Sequence, residues 1–277
     1  ITTKGKQIKI EIIENSIIQS IKINGIKNKS ILKELQEITK KSEKYPFLKD
    51  KIIDQKILLM NLVRNAGFYF AEIDTNVIDN KNNSVDIIYN FNLKNRAIIK
   101  KINFQGKKIY RDSKLRNVIK SEEGRFWKFI TSDKYLDERK IKNDEILLKR
   151  YYQNQGFYNV KIKSSYAKNI NNEYFELNFN IDSGEKYYFN KLNLSIDNNF
   201  EEENFKKIQK KINKLEGRKY SPKVLNKILE DLDNIVLARE FIFLNTKYDL
   251  VVTEKNKIKI DFKFQDLEKF YVEQINI

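Results

Sequence analysis

Residues 62–73, LVRNAGFYFAEI, and residues 151–162, YYQNQGFYNVKI, both run from an amphipathic stretch through Gly-Phe-Tyr into an alternating stretch. Gly67 and Gly156 lie 89 positions apart, too far for a short solenoid repeat and right for a small domain written in tandem. The alternating runs extend the pattern to a third copy. Val85, Ile87, Tyr89, Phe91 and Leu93 share one face, as do Phe175, Leu177, Phe179 and Ile181, and again Ile258, Ile260, Phe262 and Phe264. Mostly polar residues alternate with them, the mark of strands with one buried face.

Each run follows a polar turn: DNKNNS (79–84), KNINNE (168–173) and TEKNK (253–257). Asn tolerates left-handed backbone, so each run is expected to be the second arm of a hairpin. The first arms fall near 70–78, 158–167 and 246–252. Further short strands read SIKING (20–25), KINFQG (101–106), KLNLSI (191–196) and EQINI (273–277). Counted from Ile21, Ile102, Leu192 and Ile275, they recur at steps of 81, 90 and 83 residues. Ile8, Ile10 and Ile12, after the turn Lys4-Gly5-Lys6, end an earlier copy in the same way.

Two helices fall between opening strand and hairpin. The second helix of each copy shows its face as Ile53, Ile57, Met60 and Val63 with Asp50 as N-cap, then as Ile141, Leu148, Tyr151 and Tyr152. In the third copy Ser221-Pro222 opens a helix whose face is Leu225, Ile228, Leu232, Ile235 and Val236. Gly67 and Gly156 fit the left-handed stop of the second helices, and Gly124 and Gly217 that of the shorter first ones. The class is therefore α+β: tandem β-α-α-β-β modules, each a three-stranded mixed sheet covered on one face by two helices. The modules span 16–95, 96–185 and 186–268, flanked by the final strand of a preceding module (1–15) and the first strand of a following one (269–277). The chain opens at Ile1 without Met or a secretory leader and so reads as part of something longer.

Composition narrows the chemistry. The 277 residues hold no Cys and no His, which excludes disulfides, thiolate metal sites, His-based triads and HExxH centres. No cofactor, metal site or catalytic residue is expected. The acidic runs SEE (121–123) and EEEN (201–204) sit at helix ends, where carboxylates are ordinarily solvated or paired with the helix dipole. Phe126, Trp127 and Phe129 in GRFWKF are expected to plug a core or a contact between modules. A net charge of +16 suits a polyanionic partner or a membrane surface. The lysines are spread through every segment alongside abundant Asn and Ile, however, and compositional drift accounts for most of the surplus.

The tandem order β-α-α-β-β resembles the POTRA domains that precede the barrel of outer-membrane assembly and translocation proteins. The residues that carry the resemblance most specifically are Asp133, Lys134, Tyr135, Lys140, Asp144, Leu147, Tyr151, Tyr152, Gly156 and Tyr158, within SDKYLDERKIKNDEILLKRYYQNQGFYNVKI (132–162). They are similar to the third POTRA domain of the outer-membrane assembly factors, and KFYVEQINI (269–277) to the start of the fifth. The family's Gly-Asn after the opening strand is Gly25-Ile26, Gly106-Lys107 and Ser195-Ile196 here, and Gly-Phe-Tyr is absent from the third copy.

The resemblance implies that each hairpin's first arm is an open sheet edge and its second arm is central. An open edge accepts an extended peptide through main-chain hydrogen bonds without demanding its sequence. The expected principal edge is Tyr158, Asn159, Val160, Lys161, Ile162, Lys163, Ser164, Ser165, Tyr166 and Ala167, with Val160, Ile162 and Tyr166 setting register. Secondary edges are Phe70–Val77, with Phe70, Glu72, Ile73, Thr75 and Val77, and Lys247–Val252. On the blander reading, Lys161, Lys163 and Lys168 simply blunt an edge strand. The implied partners are unfolded outer-membrane β-barrel proteins, accessory lipoproteins of the assembly complex, the chain's own C-terminal transmembrane barrel and a membrane surface. The implied location is the periplasmic part of a Gram-negative outer-membrane protein. A secretion or translocation transporter bearing POTRA domains is the alternative. A basic nucleic-acid-binding array fits less well, because the aromatics lie on buried strand faces rather than among exposed lysines.

Overall fold

The computed structural model describes residues 2–4, 7–9, 14–124, 133–168, 173–196, 201–238 and 244–266. The strand end at Ile10 and Ile12, the Phe126–Trp127–Phe129 cluster, most of the turn 168–173 and the closing strand 269–277 lie outside the described residues. In chain order the elements are β1 (Thr2–Lys4), β2 (Gln7–Lys9), β3 (Ile17–Asn24), α1 (Lys29–Lys40), α2 (Lys49–Asn65), β4 (Glu72–Asn80) and β5 (Ser84–Asn92). They continue as β6 (Ile98–Lys107), α3 (Asp112–Arg116), α4 (Glu138–Gln153), β7 (Lys161–Lys168), β8 (Tyr174–Asp182) and β9 (Tyr188–Leu194). After a 3-10 turn at Glu202–Phe205 come α5 (Lys206–Asn213), α6 (Pro222–Leu237), β10 (Leu244–Val252) and β11 (Lys257–Asp266).

β1 and β2 pair as a hairpin, and the other strands form three sheets of identical order: β3-β5-β4, β6-β8-β7 and β9-β11-β10. In the first sheet β3 runs parallel and β4 antiparallel to the central β5. In the third, β9 and β10 flank β11 in the same senses. The chain divides into two compact units, Ile1–Asn103 with Lys120–Asn143 and Ser165–Asn178, and Phe104–Ile119 with Asp144–Ser164 and Phe179–Ile277.

The alternating runs are the central strands, where burial on one face is strongest. Val85, Ile87, Tyr89 and Phe91 on β5, Phe175, Leu177, Phe179 and Ile181 on β8, and Ile258, Ile260 and Phe262 on β11 are all buried. The hairpin turns use Asn where the backbone turns left-handed, at Asn83 (φ 54°) and Asn256 (φ 64°).

Two helix readings need correction. α2 starts after Leu48 rather than Asp50, and its buried face is Ile52, Gln55, Leu59 and Val63. Ile53 and Ile57 are instead about half exposed, at 48% and 55%. α2 carries apolar side chains nearly all round, so periodicity alone does not fix its phase. The true face recurs in register on α4 (Ile141, Asp144, Leu148, Tyr152) and on α6 (Leu225, Ile228, Leu232, Val236), all buried. Gly124 is not a left-handed helix stop, since α3 ends at Arg116 and Gly124 is not among the glycines of positive φ. It permits close approach instead, because a Cβ there would lie 2.5 Å from Ile98 Cγ2.

Gly67 and Gly156 are left-handed stops, at φ 94° and 104°. At the first, Phe68 N–H donates to the Val63 carbonyl at 3.2 Å and Gly67 N–H to that of Arg64 at 2.8 Å. At the second, Phe157 N–H donates to Tyr152 at 3.1 Å and Gly156 N–H to Gln153 at 3.0 Å. Both are the Schellman closure. The freed glycine carbonyls then reach the next copy. Gly67 O accepts from Ala97 N–H, and Ala97 O from Leu136 N–H, at 2.8 and 2.9 Å; Gly156 O accepts from Tyr187 N–H, and Tyr187 O from Tyr220 N–H, at 2.8 and 2.9 Å. Gly-Phe-Tyr therefore stops a helix and also anchors a joint.

Candidate strand-binding edge

The two flanks of each sheet are treated differently by the chain. The opening strands are covered by the segment that links the two helices. Ile18 exchanges main-chain bonds with Tyr45 and Lys44 at 3.0 and 2.8 Å, Ile99 with Lys134 and Gly124 at 2.8 and 2.7 Å, and Phe189 with Arg218 and Gly217 at 2.8 and 2.9 Å. Two carboxylates extend this cover, Glu43 accepting from Ile21 N–H at 3.1 Å and Glu123 from Ile102 N–H at 3.0 Å. On the other flank β4, β7 and β10 are outermost, with no strand beyond them among the described residues.

β7 begins at Lys161, three residues later than the sequence reading placed it. Tyr158, Asn159 and Val160 precede it. Tyr158 packs its ring against Tyr187 and Tyr220, at 5.5 and 5.3 Å between centroids, and Asn159 Nδ2 donates to Tyr187 Oη at 2.8 Å. Val160 is 4% exposed and belongs to the core. These three residues lie at the joint, before the strand begins.

Within β7, Lys161, Lys163, Ser165 and Tyr166 are exposed, while Ile162 and Ser164 are half-buried. Ala167 lies in the strand near its end. Backbone groups of an antiparallel strand alternate between its two flanks, residue by residue. Ser164 N–H points away from the sheet, since it donates to Glu145 Oε1 of α4 at 2.6 Å. Ile162 and Tyr166 share its parity and present their main-chain groups to the same open side. The Glu145 carboxylate thus occupies the middle outward donor. β10 carries the same device: Asp233 Oδ1 on α6 accepts from Thr246 N–H at 3.1 Å and from Thr246 Oγ1 at 2.6 Å.

Tyr166 is fastened at its tip. Its hydroxyl shares a hydrogen bond with Tyr69 Oη at 2.9 Å and donates to Glu138 Oε1 at 3.1 Å. Its ring meets Tyr69 and Phe175 edge-on at 5.7 and 5.8 Å. Burial, the Tyr69 hydrogen bond and the Glu138 charge together raise its pKa far above the usual phenol value. Arg64 lies 5.6 Å from the centre of the Tyr69 ring, a cation–π contact on the same cluster. Tyr166 is therefore held by Tyr69 of the preceding copy and by Glu138 and Phe175 of its own.

The secondary edge is mixed. Phe70 precedes β4 and stacks on Phe175 at 5.7 Å. Glu72 pairs with Lys94 at 3.1 Å, and Ile73 is buried. Thr75 is half-buried, with an Oγ1 that has no hydrogen-bond partner among the described residues. Val77 and its neighbour Ile78 are exposed, at 41% and 47%, between the polar Asn76 and Asp79 in the far half of β4. On β10, Val251 and Val252 are similarly exposed. Sequence reasoning missed Glu145, Asp233, Glu43 and Glu123 as edge covers, since each acts across a long sequence separation with no local pattern. Among the described residues no cluster of acidic side chains suits a metal ion, and no helix is long and apolar enough to cross a membrane.

A family model described as POTRA, surface antigen variable number repeat, matches residues 16–93 and 97–184. All of the chain aligns at 22% identity with the outer membrane protein assembly factor BamA of Neisseria meningitidis serogroup B, covering 35% of that protein. BamA of Buchnera aphidicola aligns at 26% identity over 80% of this chain and 36% of its own length. The chain thus spans about a third of these curated relatives. Among solved structures, POTRA3-5 of Haemophilus influenzae BamA superposes with a TM-score of 0.51 at 14% identity, covering 91% of this chain and 96% of that one. That likeness concerns the fold. Repeat pattern, sheet order and matched residues agree, and the chain belongs to the POTRA family.

Proposed function

We propose that this chain is the periplasmic POTRA portion of an outer-membrane β-barrel assembly factor. In this reading it takes extended segments of unfolded outer-membrane proteins, and of accessory lipoproteins, as added strands on β7. The module limits 16–95, 96–185 and 186–268 are the divisions at which the copies would be separated for binding studies. The observation that carries the reading is the asymmetry of the sheets. Each opening-strand flank is covered in part by main chain, while each first hairpin arm has no strand on its outer side among the described residues. Main-chain pairing suits clients that share strands and little sequence. Lys161 and Lys163 discourage a second copy of this chain, which carries the same positive charge, more than they discourage a polar client. Neither nucleic acid nor a cofactor enters this function.

The test is Ile162→Pro, which removes an outward donor from β7 while sparing the bonds to β8. A labelled amphipathic peptide of about ten residues, copied from a transmembrane strand of an outer-membrane barrel, serves as probe. The expected result is lost binding with an unchanged circular-dichroism spectrum. Undiminished binding to a folded Ile162→Pro protein would falsify the assignment to β7.

A further inference from the structure

α4 and α6 meet at a corner held by Asn154, whose Oδ1 accepts from Lys223 N–H at 2.9 Å. From that corner the helices enclose a wedge of about 810 Å³, walled by residues between 146 and 154 on one side and between 222 and 230 on the other. Each wall is about 12 Å of helix. The charges on it are lopsided. Lys149 and Arg150 on α4 and Lys223 and Lys227 on α6 line it, against a single carboxylate, Glu230. All four cations are exposed, and none has an ion-pair partner among the described residues. Like charges gathered in a cleft focus the field more than the same lysines spread over a convex surface. That separates this wedge from the general lysine surplus.

We propose that the wedge binds an acidic peptide segment carrying one apolar side chain. The first turn of α6 has no amide left to cradle a phosphate. Pro222 has none, Lys223 gives its own to Asn154, and Val224 and Leu225 give theirs to the Ser221 carbonyl at 3.1 and 3.2 Å. Among the described residues no aromatic ring lines the wedge for a base to stack on. Lys223 and Lys227 stand one turn apart, about 6 Å along α6, close to the roughly 6.7 Å between alternate residues of an extended chain. Ile146, 54% exposed, supplies an apolar seat two turns from the corner. Glu230, equally far along α6, repels a carboxylate at the open end and so fixes the direction of the ligand. The site uses neither β7 nor strand addition.

Fluorescence anisotropy on the whole chain tests this with a labelled peptide of about eight residues, glutamates at alternate positions and one leucine near an end. Binding should be saturable and weaken as salt rises from about 0.05 to about 0.5 M. Lys223→Gln with Lys227→Gln should weaken it roughly tenfold. Lys149→Gln with Arg150→Gln, on the opposite wall and clear of the Asn154 bond, should do the same and decides the matter if changes near Pro222 disturb folding. No binding to the unaltered chain, undiminished binding to both altered pairs, or undiminished binding of the peptide's glutamine analogue overturns the site. Phosphatidylglycerol vesicles or an oligonucleotide that displace the peptide through the same four cations overturn its assignment to a peptide.

Discussion

Gln55 stands where α4 has Asp144 and α6 has Ile228, at a buried position of each second helix. Its Oε1 accepts from Tyr89 Oη on the central strand at 2.7 Å, and its Nε2 donates to Ser42 Oγ at 2.9 Å. Removing the phenol hydroxyl with Tyr89→Phe leaves a buried acceptor unmatched, which should cost about 1–3 kcal/mol in denaturant unfolding. Burial also pushes the Tyr89 pKa up to about 12. The folded state then holds its proton when the unfolded chain has lost it, so the stability from the neutral phenol is complete below pH ~10 and disappears as pH rises through about 12. Unfolding midpoints measured across that window should fall more steeply for the unaltered protein than for Tyr89→Phe. Equal slopes would exclude Tyr89 as the source. Sequence could not expose this pair. A Gln on an apolar helix ordinarily lies on the outer face, so nothing in the sequence favours the Ile52–Leu59 phase over that of Ile53 and Ile57.

The central strands were legible because period-two alternation is sharpest where one face is fully buried, as on β5, β8 and β11. Hairpin turns followed from Asn83 and Asn256, and the helix ends from Gly67 and Gly156. Which arm lies outermost was not legible from alternation, since both arms of a hairpin alternate; it came from the resemblance to the family. The start of β7 was read three residues early because Val160 continues the alternation of Ile162 while serving the core. Nor could any pattern reveal that Glu145 caps Ser164. Glu145→Ala should free that donor and raise affinity for the strand peptide two- to tenfold, the value of about one main-chain hydrogen bond. Unchanged affinity would mean the carboxylate gives way without cost. α6 offers a second expectation. Ser221 makes no capping bond with its own hydroxyl, and Asn154 caps the helix from outside. Asn154→Ala should lower stability by about 1 kcal/mol, read from thermal unfolding, whereas Ser221→Ala should change it less.

Across the whole molecule, the two joints share one plan written in main-chain atoms. Gly67, Ala97 and Leu136 form one chain of hydrogen bonds, and Gly156, Tyr187 and Tyr220 the other. Side chains then differ around the same frame. Arg96 lies over the Phe68 and Tyr135 rings at 4.9 and 4.6 Å in the first joint, while Tyr158, Tyr187 and Tyr220 pack in the second. Linkers are usually the first places to open, yet the amides of Ala97 and Tyr187 should exchange with solvent as slowly as those of the neighbouring strands. Hydrogen exchange resolved by NMR would show this, and fast exchange at either amide would mark a hinge instead.

Because both joints use the same main-chain atoms, that part of the frame behaves like a coupling with a standard thread. Excising one whole copy would bring the Gly67 carbonyl to the Tyr187 amide, a donor that already fits its counterpart. Gain or loss of units by in-frame duplication or deletion would therefore keep the main-chain seam and leave only its side chains to be refitted.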